Sequence, residues 1–417
     1  MKQFLLCCIW FPMVLWSQTT VKKPRVLFIG NSYTYVNNLP QLLHDVAAAA
    51  HDTLIFDSNC PGGYTFFNHS VDATTIAKIS LGNWDYVVLQ AQSQEPSFSP
   101  AQVAAQTLPY AIGLDTLIKN HNPCATTVFY ETWGRKFGDA SNCASYPPVC
   151  TYTGMQNRLK QSYLQFADTC HALFSPAGEA FRKSISLNPN LELYQSDQSH
   201  PSIEGSYLTA CVFYELLYQK SVLTNSFNPG IGAATLNFLQ QTAHAVVNDS
   251  LAVWNVGKYY PKANFTASVQ GASAQFDATY PYLNHTWYFG DGTMNMGPQV
   301  QHSYVLPGFK QVSHVVDDGC KRDSVSSQIE ILNLSTTVPE FSIKHGVTIL
   351  PNPANSFVRF QLPNGAVLQK SSVKFINLLG QVFDVPEEDG KYSIENLPEG
   401  LYVCHANGFT QTLCISR

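Results

Sequence analysis

Three residues in this sequence could together perform one kind of chemistry: Ser32, Asp197 and His200. A serine hydroxyl is a weak nucleophile until a base takes its proton. An imidazole oriented by a carboxylate is such a base. Asp197 and His200 stand three apart in Tyr194-Gln-Ser-Asp-Gln-Ser-His-Pro201, and a loop can fold both toward one point. Pro201 biases His200 away from helical backbone and is itself a good first residue for a helix. Ser32 lies in Gly30-Asn-Ser-Tyr-Thr34, directly after an apolar run. Taken singly, each residue has an ordinary explanation: Ser32 as a helix cap, Asp197 as a cap, His200 as a surface side chain. Taken together they read as nucleophile, orienting carboxylate and general base.

The elements around them must bring the three into one place. Arg25-Val-Leu-Phe-Ile-Gly30 reads as a buried parallel strand. Further strands are expected at Leu54–Phe56, Asp85–Gln90 and Thr126–Tyr130. Helices are expected at Gln41–Ala50, Ala101–Lys119, Met155–Leu173 and Glu204–Tyr218. Such alternation predicts an α/β domain, a parallel sheet with helices on both faces. Ligands bind such sheets at the carboxyl ends of the strands, where Ser32 stands. After about Gly257 the segments become short, β-branched and aromatic with Gly and Pro turns, which predicts all-β structure. It divides again at Ser335-Thr-Thr-Val-Pro339. The expected organisation is 24–256 for the α/β domain, 258–334 and 345–417 for two β-sandwich modules, and 335–344 for a linker.

Composition narrows the setting. The chain has 417 residues, 45% hydrophobic and only 13% charged, with a net charge of -5. It can bury sizeable cores, and it has no basic field to collect phosphates, so nucleic acid is not an expected partner. Lys2 followed by the apolar run Phe4–Trp16 reads as a secretory signal peptide over residues 1–17. That run is too short to span a bilayer, which needs about 20 residues, and no later stretch suits a membrane span. Outside the cytoplasm disulfides are the default. Cys143 and Cys150 flank a short loop and form the best pair; Cys404 and Cys414 could staple a terminal hairpin. No cysteine or histidine spacing suits a metal, and no cofactor is expected.

The order of motifs resembles the SGNH (GDSL-like) hydrolase superfamily over roughly residues 24 to 225. Ile29-Gly-Asn-Ser-Tyr-Thr34 and Asp197-x-x-His200 are its ends; Cys60-Pro-Gly-Gly63 and Asp85-Tyr-Val-Val-Leu-Gln-Ala-Gln-Ser-Gln94 are its middle blocks. Thr132-Trp-Gly-Arg-Lys136 and Ser175-Pro-Ala-Gly-Glu179 look like the bacterial branch with a GNS-type first motif. The resemblance implies a flavodoxin-like three-layer α/β/α domain and a triad of Ser32, His200 and Asp197. It also implies an oxyanion hole built from the N–H of Ser32, the N–H of Gly63 (Gly62 being the alternative) and an amide side chain. Where the family has Asn this sequence has Gln94, with Gln92 as competitor; Gln carries the same donor on a longer arm. Asn31 replaces the family's usual Asp before the nucleophile. Trp133 and Arg135, after the fourth strand, are candidate substrate contacts.

Two further resemblances follow. Trp287-Tyr-Phe-Gly-Asp-Gly-Thr293, with His302-Ser-Tyr304, looks like a PKD domain, an immunoglobulin-like sandwich. Ile349-Leu-Pro-Asn-Pro-Ala354 and Leu397-Pro-Glu-Gly-Leu-Tyr402 resemble the type A C-terminal sorting domain of the Bacteroidota type IX secretion system. That implies a secreted or surface protein partnered by the secretion machinery. The expected activity is hydrolysis of short acyl esters, acetyl above all, on carbohydrate. The alternative is a non-catalytic glycan-binding or adhesion protein with a degenerate hydrolase domain.

Overall fold

The computed structural model describes residues 23–280, 284–332, 347–362, 373–406 and 409–417. The expected signal peptide and the linker at 335–344 lie outside these. Contacts divide the chain into two compact units. One runs up to Ser268 and includes Gln275–His302 and Lys310–Ile329; the other comprises Val269–Ala274, Ser303–Phe309 and Glu330–Arg417.

The first unit opens with β1 (Arg25–Ile29), whose last four residues are all buried. Its apolar β-branched and aromatic side chains suit a strand covered on both faces. Next come α1 (Ser32–Tyr35), α2 (Leu39–Ala49), β2 (Ile55–Asn59), α3 (Phe66–Val71), α4 (Ala73–Ser80) and β3 (Tyr86–Leu89). They are followed by α5 (Pro100–Gln106), α6 (Leu108–His121), β4 (Thr126–Tyr130), α7 (Tyr152–Thr169), β5 (Leu173–Ser175), α8 (Ala177–Leu187), α9 (Ile203–Tyr218) and α10 (Ala233–Asn248). The five strands order as β2-β1-β3-β4-β5, with every adjacent pair parallel. The α2 crossover runs one way along the sheet and the later crossovers run the other. Right-handed crossovers therefore place α2 on the face opposite α3–α7. After β5 the chain returns to α2, against which α9 packs. The direction of winding reverses between β1 and β3, the position where flavodoxin-like sheets open a crevice.

Two expected elements differ. The helix expected over Ala101–Lys119 is broken at Thr107, where Leu108-Pro109 begins a second helix; a proline has no N–H to continue the first. The helix expected over Met155–Leu173 ends at Thr169. His171 takes a positive φ of 49°, and Leu173-Phe174-Ser175 turns into the edge strand β5.

After α10 the chain forms β6 (Phe265–Gln270), β7 (Ser273–Ala278), β8 (Asn284–Tyr288), β9 (Met294–Met296), β10 (Gln299–Ser303), β11 (Gly308–Asp317) and β12 (Arg322–Ile331). These make sheets ordered β10-β7-β6 and β12-β11-β8-β9. Phe265, Phe276, Trp287 and Phe289 form an aromatic core. Buried with it is a histidine pair. His285 Nδ1 lies 3.1 Å from His314 Nε2, and the His314 ring stacks on Trp287 at 3.9 Å. The outer nitrogens, His285 Nε2 and His314 Nδ1, are buried with no hydrogen-bond partner among the described residues. Burial and the neighbouring His285 push the His314 pKa down to about 4.

Two further antiparallel sheets occupy the C-terminal part, ordered β13-β14-β18-β17 and β16-β15-β19-β20, where β13 is Thr348–Leu350, β14 Phe357–Gln361, β15 Lys374–Asn377, β16 Val382–Asp384, β17 Glu387–Glu388, β18 Lys391–Ser393, β19 Gly400–Ala406 and β20 Phe409–Ile415. Val358, Phe360, Phe375, Tyr392, Tyr402 and Leu413 belong to their shared core.

The structure contains the expected Cys143–Cys150 disulfide and a second one, Cys124–Cys320, between residues 196 apart in sequence. The suggested Cys404–Cys414 staple does not form. Cys404 pairs across the hairpin with Gln411 and Cys414 with Leu401. Cys404 is buried, whereas Cys414 alternates with the buried Leu413 and Ile415, so the two thiols point to opposite faces.

Candidate active site

Ser32 begins α1 immediately beyond β1, at the carboxyl end of the sheet. The cap is Asn31 rather than Ser32: its side-chain oxygen accepts from the N–H of Tyr33. Asn31 is buried and also takes a hydrogen bond from Gln90 Nε2 at 2.9 Å, while its own amide donates to the carbonyl of Tyr64 at 2.9 Å. Gln90 Oε1 in turn accepts from the N–H of Asn31 and the hydroxyl of Thr34. A side chain at position 30 would collide with this network: its Cβ would lie 2.6 Å from Thr34 Oγ1 and 2.7 Å from Gln90 Oε1. The Gly30 carbonyl accepts from the fully buried His69 at 2.8 Å. Burial lowers the His69 pKa, which keeps that ring neutral and structural. The backbone carrying Ser32 is thus held from three sides.

His200 and Asp197 come from the loop between Tyr194 and Pro201, whose ends form an antiparallel bridge. His200 Nε2 lies 2.8 Å from Ser32 Oγ. On the other side of the ring, Nδ1 is hydrogen-bonded to Asp197 Oδ2. Asp197 Oδ1 accepts from the backbone N–H groups of Ser199 and His200, both at 3.0 Å. Partial burial raises the Asp197 pKa, but the hydrogen bonds from His200 and the two N–H groups outweigh it, and the net shift is downward. The carboxylate therefore stays ionised and directs a proton to Nδ1, which leaves Nε2 free to accept from Ser32. The site is open: the His200 side chain is 32% exposed and that of Asp197 46%.

Gly63 sits at the third position of a turn closed by the hydrogen bond from Tyr64 N–H to Pro61 O, with φ of +75°, a conformation that side chains disfavour. Among the described residues no acceptor takes the N–H of Ser32 or of Gly63. Gln94 donates its amide to Asp139 Oδ2 at 2.7 Å. Gln92 Oε1 accepts from the N–H of Gln94 at 2.7 Å, and its amide donates to Gln94 Oε1. The two glutamines thus form one chain that ends on Asp139. Asp139 is buried, accepts from Asn142 and Arg135, and donates its N–H at 2.7 Å to the carbonyl of Val149, inside the loop closed by Cys143–Cys150.

Trp133 does not present itself to a substrate. It is fully buried, stacked between Tyr33 at 5.0 Å and Phe181 at 3.9 Å, and its indole N–H donates to the Ser199 carbonyl at 3.1 Å. A flat apolar slot was available beneath the loop, and the indole filled it. Arg135 is half-buried and spends its guanidinium on Asp139. Sequence reasoning missed Tyr33, Asn31 and Gln90 as supports of the site; the adjacency of Tyr33 to Ser32 was the available signal.

Residues 260–332 match the PKD domain family, and residues 348–414 match the secretion system C-terminal sorting domain family. The latter marks an exported protein. Among the described residues no helix is long and apolar enough to cross a membrane. No curated protein matches the chain. Among solved structures, the chain is similar to a DUF4886 family protein from Bacteroides uniformis, at 20% identity over 54% of this chain and 96% of that one, with a TM-score of 0.47. It is similar to a putative SGNH hydrolase from Slackia heliotrinireducens at 27% identity, over 46% and 98% of the two chains, with a TM-score of 0.39. An acetylxylan esterase from Geobacillus stearothermophilus aligns at 16% identity over 48% and 95%, with a TM-score of 0.34.

Proposed function

We propose that this exported protein is a serine ester hydrolase of the SGNH type that removes short acyl groups, chiefly acetyl, from carbohydrate. The observation that carries the reading is the unbroken chain from Ser32 Oγ to His200 Nε2, at 2.8 Å, and from His200 Nδ1 to Asp197. Ser32 Oγ attacks the ester carbonyl carbon while His200 Nε2 takes the hydroxyl proton. The oxyanion is held by the N–H groups of Ser32 and Gly63 and by the amide of Gln94. A carboxamide carries two hydrogens; Asp139 takes one from Gln94 and leaves one, with Gln92 as the alternative donor. His200 returns its proton to the leaving alcohol, and the acyl group remains on Ser32. Water, deprotonated by His200, then attacks the acyl-enzyme and releases the carboxylate and Ser32.

The substrate class follows from what surrounds the triad. Histidine and aspartate stand open to solvent, which suits a large hydrophilic substrate. Tyr35, on the same short helix as Ser32, is 53% exposed. Its hydroxyl lies 3.8 Å from where a Cβ on Gly62 would be, so an aromatic ring borders the glycine turn and can take the face of a sugar. The loops after the first three strands supply no long apolar lid. The test is a chain-length series of p-nitrophenyl esters, followed by acetate release from acetylated xylan. kcat/KM falls steeply from acetate to octanoate; faster turnover of octanoate would contradict the short-acyl reading.

A further inference from the structure

We infer that Tyr33, acting through Ser199, is the positioning residue that sets the distance between nucleophile and base; the inference rests on the Ser32–His200–Asp197 reading above. Its phenol oxygen lies 2.5 Å from Ser199 Oγ. Tyr33 directly follows Ser32, and Ser199 directly precedes His200. The hydrogen bond therefore ties the nucleophile's helix to the base's loop one residue from each reacting group. The strut cannot swing. The Tyr33 ring is stacked parallel on Trp133, with the planes 6° apart, and Trp133 holds the Ser199 carbonyl from the other side of that residue. The ring also meets His200 edge-on at 5.4 Å between centroids.

The loop needs such a fastening. Gln198 takes a positive φ of 60°, and Asp197 caps its own loop rather than reaching into the core. Two other ties reach the loop and its flank from the chain after β4: Lys136 N–H to Gln198 O at 3.0 Å, and Tyr194 hydroxyl to Gly134 O at 2.8 Å. Neither touches the segment that carries Ser32. The Tyr33–Ser199 bond joins the two catalytic segments beside the reacting groups; a second link, from Asn37 Nδ2 to the Pro201 carbonyl at 3.1 Å, joins them farther from Ser32. Burial raises the Tyr33 pKa against the hydrogen bonds of Ser199 and Ser93, so the phenol keeps its proton at working pH.

A positioning role predicts a specific pattern. Tyr33→Phe removes one oxygen and keeps the stack on Trp133. It should lower kcat about 10- to 100-fold, the range a small misplacement of reacting groups costs, with KM for p-nitrophenyl acetate unchanged. Ser199→Ala should match it, Ser199→Thr should restore most of the rate, and Tyr33→Phe/Ser199→Ala should be no worse than either single variant. The His200 Nδ1–H proton resonance, read by NMR on the full chain, should broaden or move in Tyr33→Phe and in Ser199→Ala, and stay close to wild type in Ser199→Thr. That readout needs no turnover, so it stands even if the wild-type chain hydrolyses no ester. Losses that multiply in the double variant, an effect confined to KM, or an unchanged resonance in a folded Tyr33→Phe chain would each overturn the inference.

Discussion

Two histidine clusters in this molecule show what surroundings do to one side chain. His200 stands at the carboxyl end of the parallel sheet, with a carboxylate on one nitrogen and a hydroxyl on the other. His314 lies in an aromatic β-sandwich core, with another imidazole on one nitrogen and, among the described residues, no hydrogen-bond partner on the other. The first arrangement is the one the proposed mechanism needs to take a proton from Ser32 and pass it on, with Asp197 to hold the ring. The second resists gaining one: the added charge would be desolvated and would face His285. Acid–base capacity thus comes from the partners of an imidazole and not from its presence.

The comparison breaks most directly at Ser32. Ser32→Ala should reduce ester hydrolysis at least about 10⁴-fold, as loss of a nucleophile does, and leave the unfolding temperature close to wild type. Asp197→Asn should cost on the order of 10³- to 10⁴-fold by unfixing the ring and its tautomer. Steady-state kinetics on p-nitrophenyl acetate checks both. A folded Ser32→Ala chain with wild-type rate would remove the distinction between the two clusters.

The next largest effect concerns the link between the regions. Cys124–Cys320 joins residues 196 apart. The chain-entropy estimate for a loop that long is about 5 kcal/mol. Replacing both cysteines with serine should lower resistance to urea markedly while kcat on p-nitrophenyl acetate stays unchanged, since the bond lies at the start of β4 and the triad at the strands' carboxyl ends. Denaturation midpoints alongside kinetics read the two effects separately.

A smaller effect sharpens the second cluster. The folded pKa of His314, about 4, lies below the ordinary value of 6.5. The unfolded chain therefore binds more protons between these values. The contribution is complete above about pH 6.5 and is lost as pH falls toward 4, on the order of 2 to 3 kcal/mol in all. Urea unfolding at pH 7 and pH 4.5 measures it. His314→Gln should flatten that dependence; an unchanged slope would mean that His314 does not resist protonation.

How much of this could be read in advance depended on whether a signal was local. The apolar run before Ser32 and the Asp197-x-x-His200 spacing belong to short segments, and the structure brings the three residues within hydrogen-bond distance. The switch from alternating elements to short strands was equally plain, and the parallel sheet with β sandwiches beyond it follows. The role of Trp133 was not readable, because a Trp after a strand can face out or in, and only the packing of Tyr33 and Phe181 decides. The Cys124–Cys320 partnership spans two regions, so no spacing rule reaches it. β5 was hidden because three residues of strand follow an amphipathic helix with only Cys170, His171 and Ala172 between to mark the change. The partner of Gln94 was hidden for the same reason as the long disulfide: Asp139 reaches it from another loop.

The proposed mechanism makes Ser32 a nucleophile activated by His200. Reaction of the full chain with a fluorophosphonate, followed by peptide mass spectrometry, tests it most directly, because the probe needs an activated serine and no knowledge of the natural substrate. A single adduct on Ser32 is expected in the wild-type chain, formed far more slowly in His200→Ala. An unlabelled wild-type chain, or an adduct on Ser32 that forms equally fast without His200, would contradict it.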